Sequence, residues 1–315
     1  MRIPNSSKYS LPLIFWPNEN ESAIYSQTTG MVISILAGGL GNQLFQYAFG
    51  FSLARQLHTE LQLERHLLES RMLAKLRKYT PRQYELDVFA ISQKAASTYD
   101  VLRTLSQTLL PGHQAILLCE TDLDSQEVLL NQTKDVLCLG YWQSENYFKS
   151  ETEALRKQLV FQKHPSHATL AVANAILAHS NATFVHIRRG DYVTNTNANQ
   201  HHGLCGKEYY QQAIDYLRER VSDAHFFVFS DDMEWVEREL RDLFRPATFV
   251  DHNSGADSWQ DMYLMSLCRH AIVANSSFSW WGAWLNPVAD RVVVAPSQWF
   301  ANQPQQIIPQ QWHSL

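Results

Sequence analysis

The chain has 315 residues, of which 45% are hydrophobic and 18% charged, with a net charge of −5. This is the profile of a soluble globular protein long enough for one large or two medium domains, and it excludes a disordered chain. The negative balance excludes nucleic acid as a general partner, so any anion site has to be local.

Residues 1–30 are rich in Asn, Ser and Pro and carry no sustained period, so they read as a loose extension. Their one apolar run, Leu11–Trp16, is interrupted by Pro12 and closed by Pro17. It is too short for a signal-peptide core or a membrane span, which leaves a cytoplasmic protein with at most peripheral contact to the inner membrane. Cys119, Cys138, Cys205 and Cys268 show no CxxC spacing and read as free thiols of a reducing compartment.

The folded part opens at Met31. MVISIL (31–36) predicts a buried strand, Ala37–Gly41 a glycine turn, Asn42 to about Leu57 a helix, and Leu61–Leu63 a short strand. Residues 66–135 predict mixed helix and loop, broken at Pro81 and at Pro111-Gly112. Val136–Leu139 predicts a strand closed by Gly140, and Tyr147–Val160 a helix. Residues 164–180, with Pro165 and an Ala-rich helix, read as a connection between a first lobe over 31–163 and a second over 181–315. In the second, strands at 183–188, 225–229, 247–250, 271–274 and 292–295 alternate with helices near 207–221, 232–244, 257–269 and 279–285. That alternation predicts a parallel sheet covered on both faces, with ligands at the carboxyl ends of its strands.

Three of those strand ends are polar. The first is HIRRGDY (186–192), where strand alternation sets His186 and Arg188 on one face and Arg189 on the other. Guanidinium forks suit a polyphosphate; an ion pair with Asp191 is the structural alternative for either arginine. The second is Ser230-Asp231-Asp232, where one carboxylate is placed to accept from a ribose or purine and Asp232 is equally placed to cap the next helix. The third is Asn275-Ser276-Ser277-Phe278-Ser279, whose serines lie where a helix from about Trp280 needs caps and where free N–H groups favour phosphate. Trp280, Trp281 and Trp284 at helical spacing read as core. In the first lobe, Gly38-Gly39-Leu40-Gly41-Asn42-Gln43 fails the dinucleotide fingerprint, because Leu44 stands where the third glycine belongs. Its glycines predict close approach of backbone to a ligand, with Asn42 and Gln43 as polar contacts.

Taken together, GGLGNQLFQYAFG (38–50), GYWQSENYF (140–148), HIRRGDY (186–192), FSDD (229–232) and NSSFSWWGAWLN (275–286) resemble the α1,2-fucosyltransferases of glycosyltransferase family 11 from about Met31 to Phe300. The resemblance implies an α/β protein of GT-B architecture, two Rossmann-like lobes with parallel sheets facing a central cleft. It implies L-fucose transfer from GDP-fucose to the 2-hydroxyl of a galactose-terminated oligosaccharide or glycolipid-linked glycan, with inversion, no metal and no cofactor beyond the donor. It places Arg188 on the diphosphate, His186 beside it and Asn275–Ser279 around the nucleotide. Animal members carry a membrane anchor, so a chain without one resembles a bacterial, soluble member. Gly39, Gly41, Asn42, Gln43, Asp231 and Asp232 complete the expected donor contacts, and Asp191 is the nearest carboxylate for a general base.

Three other readings compete. A metal-dependent glycosyltransferase would use Asp122 and Asp124, a DxD pair that reads otherwise as a loop. A nicotinamide oxidoreductase would use Gly39, Gly41 and Glu64, and a non-catalytic sugar binder would use the abundant tryptophans.

Overall fold

The computed structural model describes residues 30–70, 82–110, 115–120, 135–190, 205–300 and 307–315. Two parallel sheets form the GT-B pair of α/β lobes. In the first, β1 (Met31–Ile35), β2 (Glu60–Glu64), β3 (Lys94–Ala95), β4 (Ala115–Cys119) and β5 (Asp135–Leu139) run in the order β3-β2-β1-β5-β4. In the second, β6 (Ala182–Ile187), β7 (His225–Ser230), β8 (Ala247–Val250), β9 (His270–Ile272), β10 (Val293–Ala295) and β11 (His313–Ser314) run in the order β11-β10-β9-β6-β7-β8. Each sheet grows outward from its first strand and then returns to that strand's other side. The reversals fall between β1 and β5 and between β6 and β9, and such switch points open crevices at the carboxyl ends of strands.

The helix α1 (Leu40–Gln56) is buried along nearly its whole length, as its all-round apolar sequence LFQYAFGFSLA requires. One side packs on β1 and β2 and the other on a helix of the second lobe, Ser277–Leu285. Phe45 lies 4.5 Å from Trp280 and 5.1 Å from Trp281, and Phe148 stacks on Trp281 at 5.6 Å between ring centres. Arg156 closes the far end of the Ser277–Leu285 helix, donating to the carbonyls of Trp284 and Leu285 at 2.6 and 3.0 Å. The three tryptophans are core, as their spacing predicts, which removes them as a sugar platform.

Two stretches differ from expectation. The stretch 66–135, expected as mixed helix and loop, contains the single turn α2 (His66–Glu69) and the helix α3 (Thr98–Thr108) but also the strands β3 and β4. The helix expected over 147–160 breaks into 3-10 turns at Glu145–Tyr147 and Lys149–Glu151 before α4 (Thr152–Gln158). Phe148, wholly buried between those turns, is drawn into the aromatic seam, and that burial outweighs local helix propensity. The Ala-rich connection forms α5 (His167–Ala178), capped by Ser166 Oγ accepting from Thr169 N.

The extension and its apolar run Leu11–Trp16 lie outside the described residues. Met31 N donates to Asp135 Oδ1 at 3.0 Å, and Arg103 holds the other carboxylate oxygen at 2.6 Å. Strand β1 is thus anchored at its own first residue. Removal of residues 1–29 is expected to shift Tm by less than about 2 °C and to preserve activity. Melting curves and rates of truncated and full-length chains test this; a large fall in either means the extension docks.

Candidate active site

The second lobe's switch point is built on the β6–β7 register. His186 pairs with Phe229 and Ile187 with Ser230, so the next residues, Arg188 and Asp231, emerge side by side. Asp231 Oδ2 accepts from Arg188 Nη1 at 2.9 Å and from Gly190 N at 3.0 Å, while Oδ1 accepts from Arg189 N at 2.8 Å. Asp231 is therefore a clamp that shapes the Arg188–Gly190 turn and holds the guanidinium. Three contacts nearly exhaust a carboxylate, which leaves it poorly placed to accept from a ribose or purine as expected. A side chain at Gly190 would put Cβ 2.7 Å from Asp231 Oδ2, so the turn is fitted to this partner.

Arg189 points the other way, as strand alternation predicts. Its Nε lies 3.2 Å from Asp232 Oδ2 and its guanidinium sits 3.8 Å over the Trp235 ring. Asp232 Oδ1 accepts from Trp235 N at 3.2 Å, capping the helix that begins at Met233. The cap reading holds for Asp232, and its second oxygen belongs to Arg189. Asp191, the expected partner and candidate base, lies outside the described residues.

Beyond β9, the helix Ser277–Leu285 starts two to three residues earlier than expected, with Ser276 as N-cap. No side chain caps it. Ser279 is fully buried and its hydroxyl turns back to the Ala274 and Ser276 carbonyls, at 3.5 and 3.3 Å. Asn275 is buried too, with Nδ2 3.5 Å from the Trp299 carbonyl and Oδ1 accepting from Cys205 Sγ at 3.5 Å. What the segment presents is a helix start, with Ser276, Ser277 and Phe278 around it, whose first-turn N–H groups carry no side-chain cap and whose dipole favours an anion.

His186 is buried beneath this helix start, its ring 5.9 Å from that of Phe278. Burial, reinforced by Arg188 and opposed by Asp231, pushes its pKa down to about 4, so the imidazole is neutral near pH 7. Its Nδ1 has no hydrogen-bond partner among the described residues. A half-buried carboxyl, Asp261, takes one bond from Asn253 Nδ2 at 2.8 Å, and desolvation pushes its pKa up to about 7.

The first lobe meets this arrangement through its glycine turn, in a manner the sequence did not indicate. A Cβ at Gly41 would lie 2.5 Å from Ser277 C and 2.6 Å from Phe278 N. The close approach predicted for this glycine is to a helix backbone. Gln43 is fully buried, donating to the carbonyls of Gly38 and Gln83 at 3.0 and 2.9 Å and accepting from Glu85 N at 2.9 Å. Its amide is engaged within the first lobe and braces the loop at 83–85, a structural role in place of the polar ligand contact expected. Asn42 Oδ1 accepts from Ser277 Oγ at 2.7 Å and from Gln143 Nε2 at 2.8 Å, bridging the lobes. Gly39 caps α1 and has open space around it, and Leu40 N donates to Glu85 Oε2 at 2.7 Å. The start of α1 thus has an internal anion.

Glu64, the ribose acid of the nicotinamide reading, is buried and accepts from His66 N and Leu67 N at 2.7 and 3.2 Å. It caps a helical turn and is closed to a ribose. Asp122 and Asp124 lie outside the described residues, among which no three His, Cys, Asp or Glu gather as a metal site.

The signature described as glycosyl transferase family 11 matches residues 121–314. An alpha-1,2-colitosyltransferase of Escherichia coli is 34% identical over 286 residues, covering 87% of this chain and 93% of its own. The chain belongs to glycosyl transferase family 11. The O-antigen biosynthesis glycosyltransferase WbnK of Escherichia coli, likewise 34% identical, covers 90% of this family 11 chain and 99% of its own. The crystal structure of fucosyltransferase NodZ from Bradyrhizobium aligns with 82% of this chain and 93% of its own, at 17% identity and a TM-score of 0.47. Among the described residues of this glycosyltransferase, no helix is long and apolar enough to cross a membrane.

Proposed function

We propose that the protein is a galactoside 2-α-L-fucosyltransferase, moving L-fucose from GDP-fucose with inversion and without a metal. The observation that carries this reading is Arg188, held by Asp231 at the β6/β9 switch point close to the uncapped start of the Ser277–Leu285 helix. Inverting transfer passes through an oxocarbenium-like state while negative charge grows on the departing diphosphate. A fixed guanidinium and helix-end N–H groups stabilise charge that is larger in the transition state than in the ground state, which is the differential binding that raises rate. Neutral His186 offers a hydrogen-bonding nitrogen beside this anion without adding charge. Ser277 and Asn42 act one step back, fixing the helix start against α1. The acceptor proton goes to a base, for which Asp191 is the candidate. The sugar and linkage are supported by relatives of the chain, including a human galactoside alpha-(1,2)-fucosyltransferase 1 that is 28% identical over 153 residues.

The test is incubation with GDP-fucose and a panel of β-galactosides, reading the linkage of the product by NMR. An α1,2-linked fucose is the expected result. Transfer from GDP-colitose but not from GDP-fucose would overturn the sugar assignment, and NAD binding without GDP binding would overturn the whole reading.

Activity is also expected to persist in excess chelator, because Arg188 and the helix start supply the positive potential a divalent ion would otherwise provide. Rates measured with and without EDTA decide it. Abolition by EDTA and rescue by manganese would bring back Asp122 and Asp124.

A further inference from the structure

The segment GYWQSENYF (140–148) is tightly built and supplies none of the expected donor contacts. It leaves β5 at the first lobe's switch point, next to the carboxyl end of β1. Trp142 adopts a left-handed backbone, φ 55°, which a bulky residue seldom takes. That turn drives its ring inward, where it is buried and stacks on Phe49 at 3.8 Å and 13°. Gln143 bonds Asn42, and through it the segment joins Ser277 at the helix start of the second lobe. Phe148 fixes the other end in the aromatic seam. Held at both ends, the segment leaves Tyr141 47% exposed, a large aromatic residue two positions before the Gln143–Asn42–Ser277 link between the lobes.

Beside it stands Glu120, immediately after β4. Its Oε2 accepts from Tyr141 N at 2.8 Å. Its charge, added to burial, raises the pKa of both the Tyr141 and Tyr147 phenols, so carboxylate and phenols form one cluster. Among the described residues no cation forms an ion pair with Glu120. A flat aromatic face next to a carboxylate matches a hexopyranose such as galactose, whose one C–H-rich face packs on a ring while vicinal hydroxyls donate to a carboxylate. The place suits an acceptor, since inversion requires attack from the side away from the diphosphate, and this wall belongs to the opposite lobe.

We infer that Tyr141 and Glu120 form the acceptor subsite, Tyr141 as the platform for the terminal galactoside and Glu120 as the acceptor of its hydroxyl hydrogen bonds. The inference rests on the function proposed above and names the surface that reads its second substrate.

Acceptor KM, kcat and the Kd for GDP are measured for wild type, Tyr141→Ala, Tyr141→Phe and Glu120→Gln with a β-galactoside acceptor. Tyr141→Ala and Glu120→Gln are each expected to raise acceptor KM by about tenfold or more with Kd for GDP within about twofold of wild type. Tyr141→Phe keeps the ring face and is expected to keep KM within about threefold. An acceptor KM that stays within about twofold in Tyr141→Ala, with GDP binding intact, overturns the subsite alone. A wild-type chain that binds no GDP overturns the subsite and the proposed function together. Equal loss in Tyr141→Ala and Tyr141→Phe also overturns it, because the ring face would then not be what the acceptor meets.

Discussion

Exchange of Arg188 for lysine is expected to lower kcat/KM by about 10²–10³-fold although the positive charge is kept. In the folded chain one edge of the guanidinium is committed to Asp231, through Nη1 at 2.9 Å. A guanidinium can keep that bond and direct further donors at diphosphate oxygens from the same plane. An ammonium is a single point and would serve one partner at the expense of the other. Asp231→Asn is expected to damage catalysis in the same direction, because Asp231 also accepts from Arg189 N and Gly190 N and so shapes the turn that carries Arg188. Arg189→Lys should tell on stability as much as on rate, since Arg189 is packed over Trp235 and paired with Asp232. Steady-state kinetics with GDP-fucose and melting curves for the three variants separate these roles. Near-normal kcat/KM in Arg188→Lys would remove Arg188 from the diphosphate.

The second large effect is expected at Gly41. Adding one methyl there places Cβ 2.5–2.8 Å from Ser277 C, Phe278 N and Ser277 O, all backbone atoms of a helix start that cannot rotate away. Overpacking of this kind costs about 1–3 kcal/mol. The displacement it forces falls on the N–H groups assigned to the donor, and a shift of about 1 Å can cost 10²-fold in rate. Gly41→Ala is therefore expected to lower Tm and nearly abolish transfer. Gly39→Ala is the matched control: Gly39 has φ −81° and nothing within 4 Å of a built Cβ. It should leave Tm close to wild type. Equal behaviour of the two variants would show that the contact between α1 and the Ser277 helix start does not govern the site.

This pair also shows how much of the site was legible in the sequence. The runs MVISIL and HFFVF, each closed by polar or glycine residues, predict buried strands, and both lobes contain them where expected. The polar ends of β6, β7 and β9 were legible for the same reason, since a parallel sheet brings all its carboxyl ends to one edge. Partners were not legible. The sequence offers Asp191 to Arg188 and Arg189, two or three residues away; the structure supplies Asp231 and Asp232, from some forty residues later, because the β6–β7 register aligns the two strand ends. The glycine turn reads as a ligand cradle by analogy with nucleotide folds; in the folded chain the second lobe's helix start packs against Gly41, and the first lobe's own loop at 83–85 engages Gln43. Asp261 was not singled out by the sequence; its place on the helix Trp259–Leu267, with Asn253 from the loop after β8, is what half-buries it. Such assignments depend on contacts between distant segments, which no local pattern encodes.

The aromatic seam has a consequence for how this enzyme can diversify. Phe45, Phe148, Trp280, Trp281 and Trp284 interlock across the two lobes, and Arg156 ties the first lobe to the end of the Ser277–Leu285 helix. A recombination point in the 164–180 connection looks natural along the chain, yet it would cut a shared interior and leave each half with unmatched rings. Exchange of one lobe alone is therefore expected to disrupt the packing of both. A change of specificity is then expected to come from substitution on this shared frame, or from carrying α1, residues 140–148 and the Ser277–Leu285 helix together as a single heritable block.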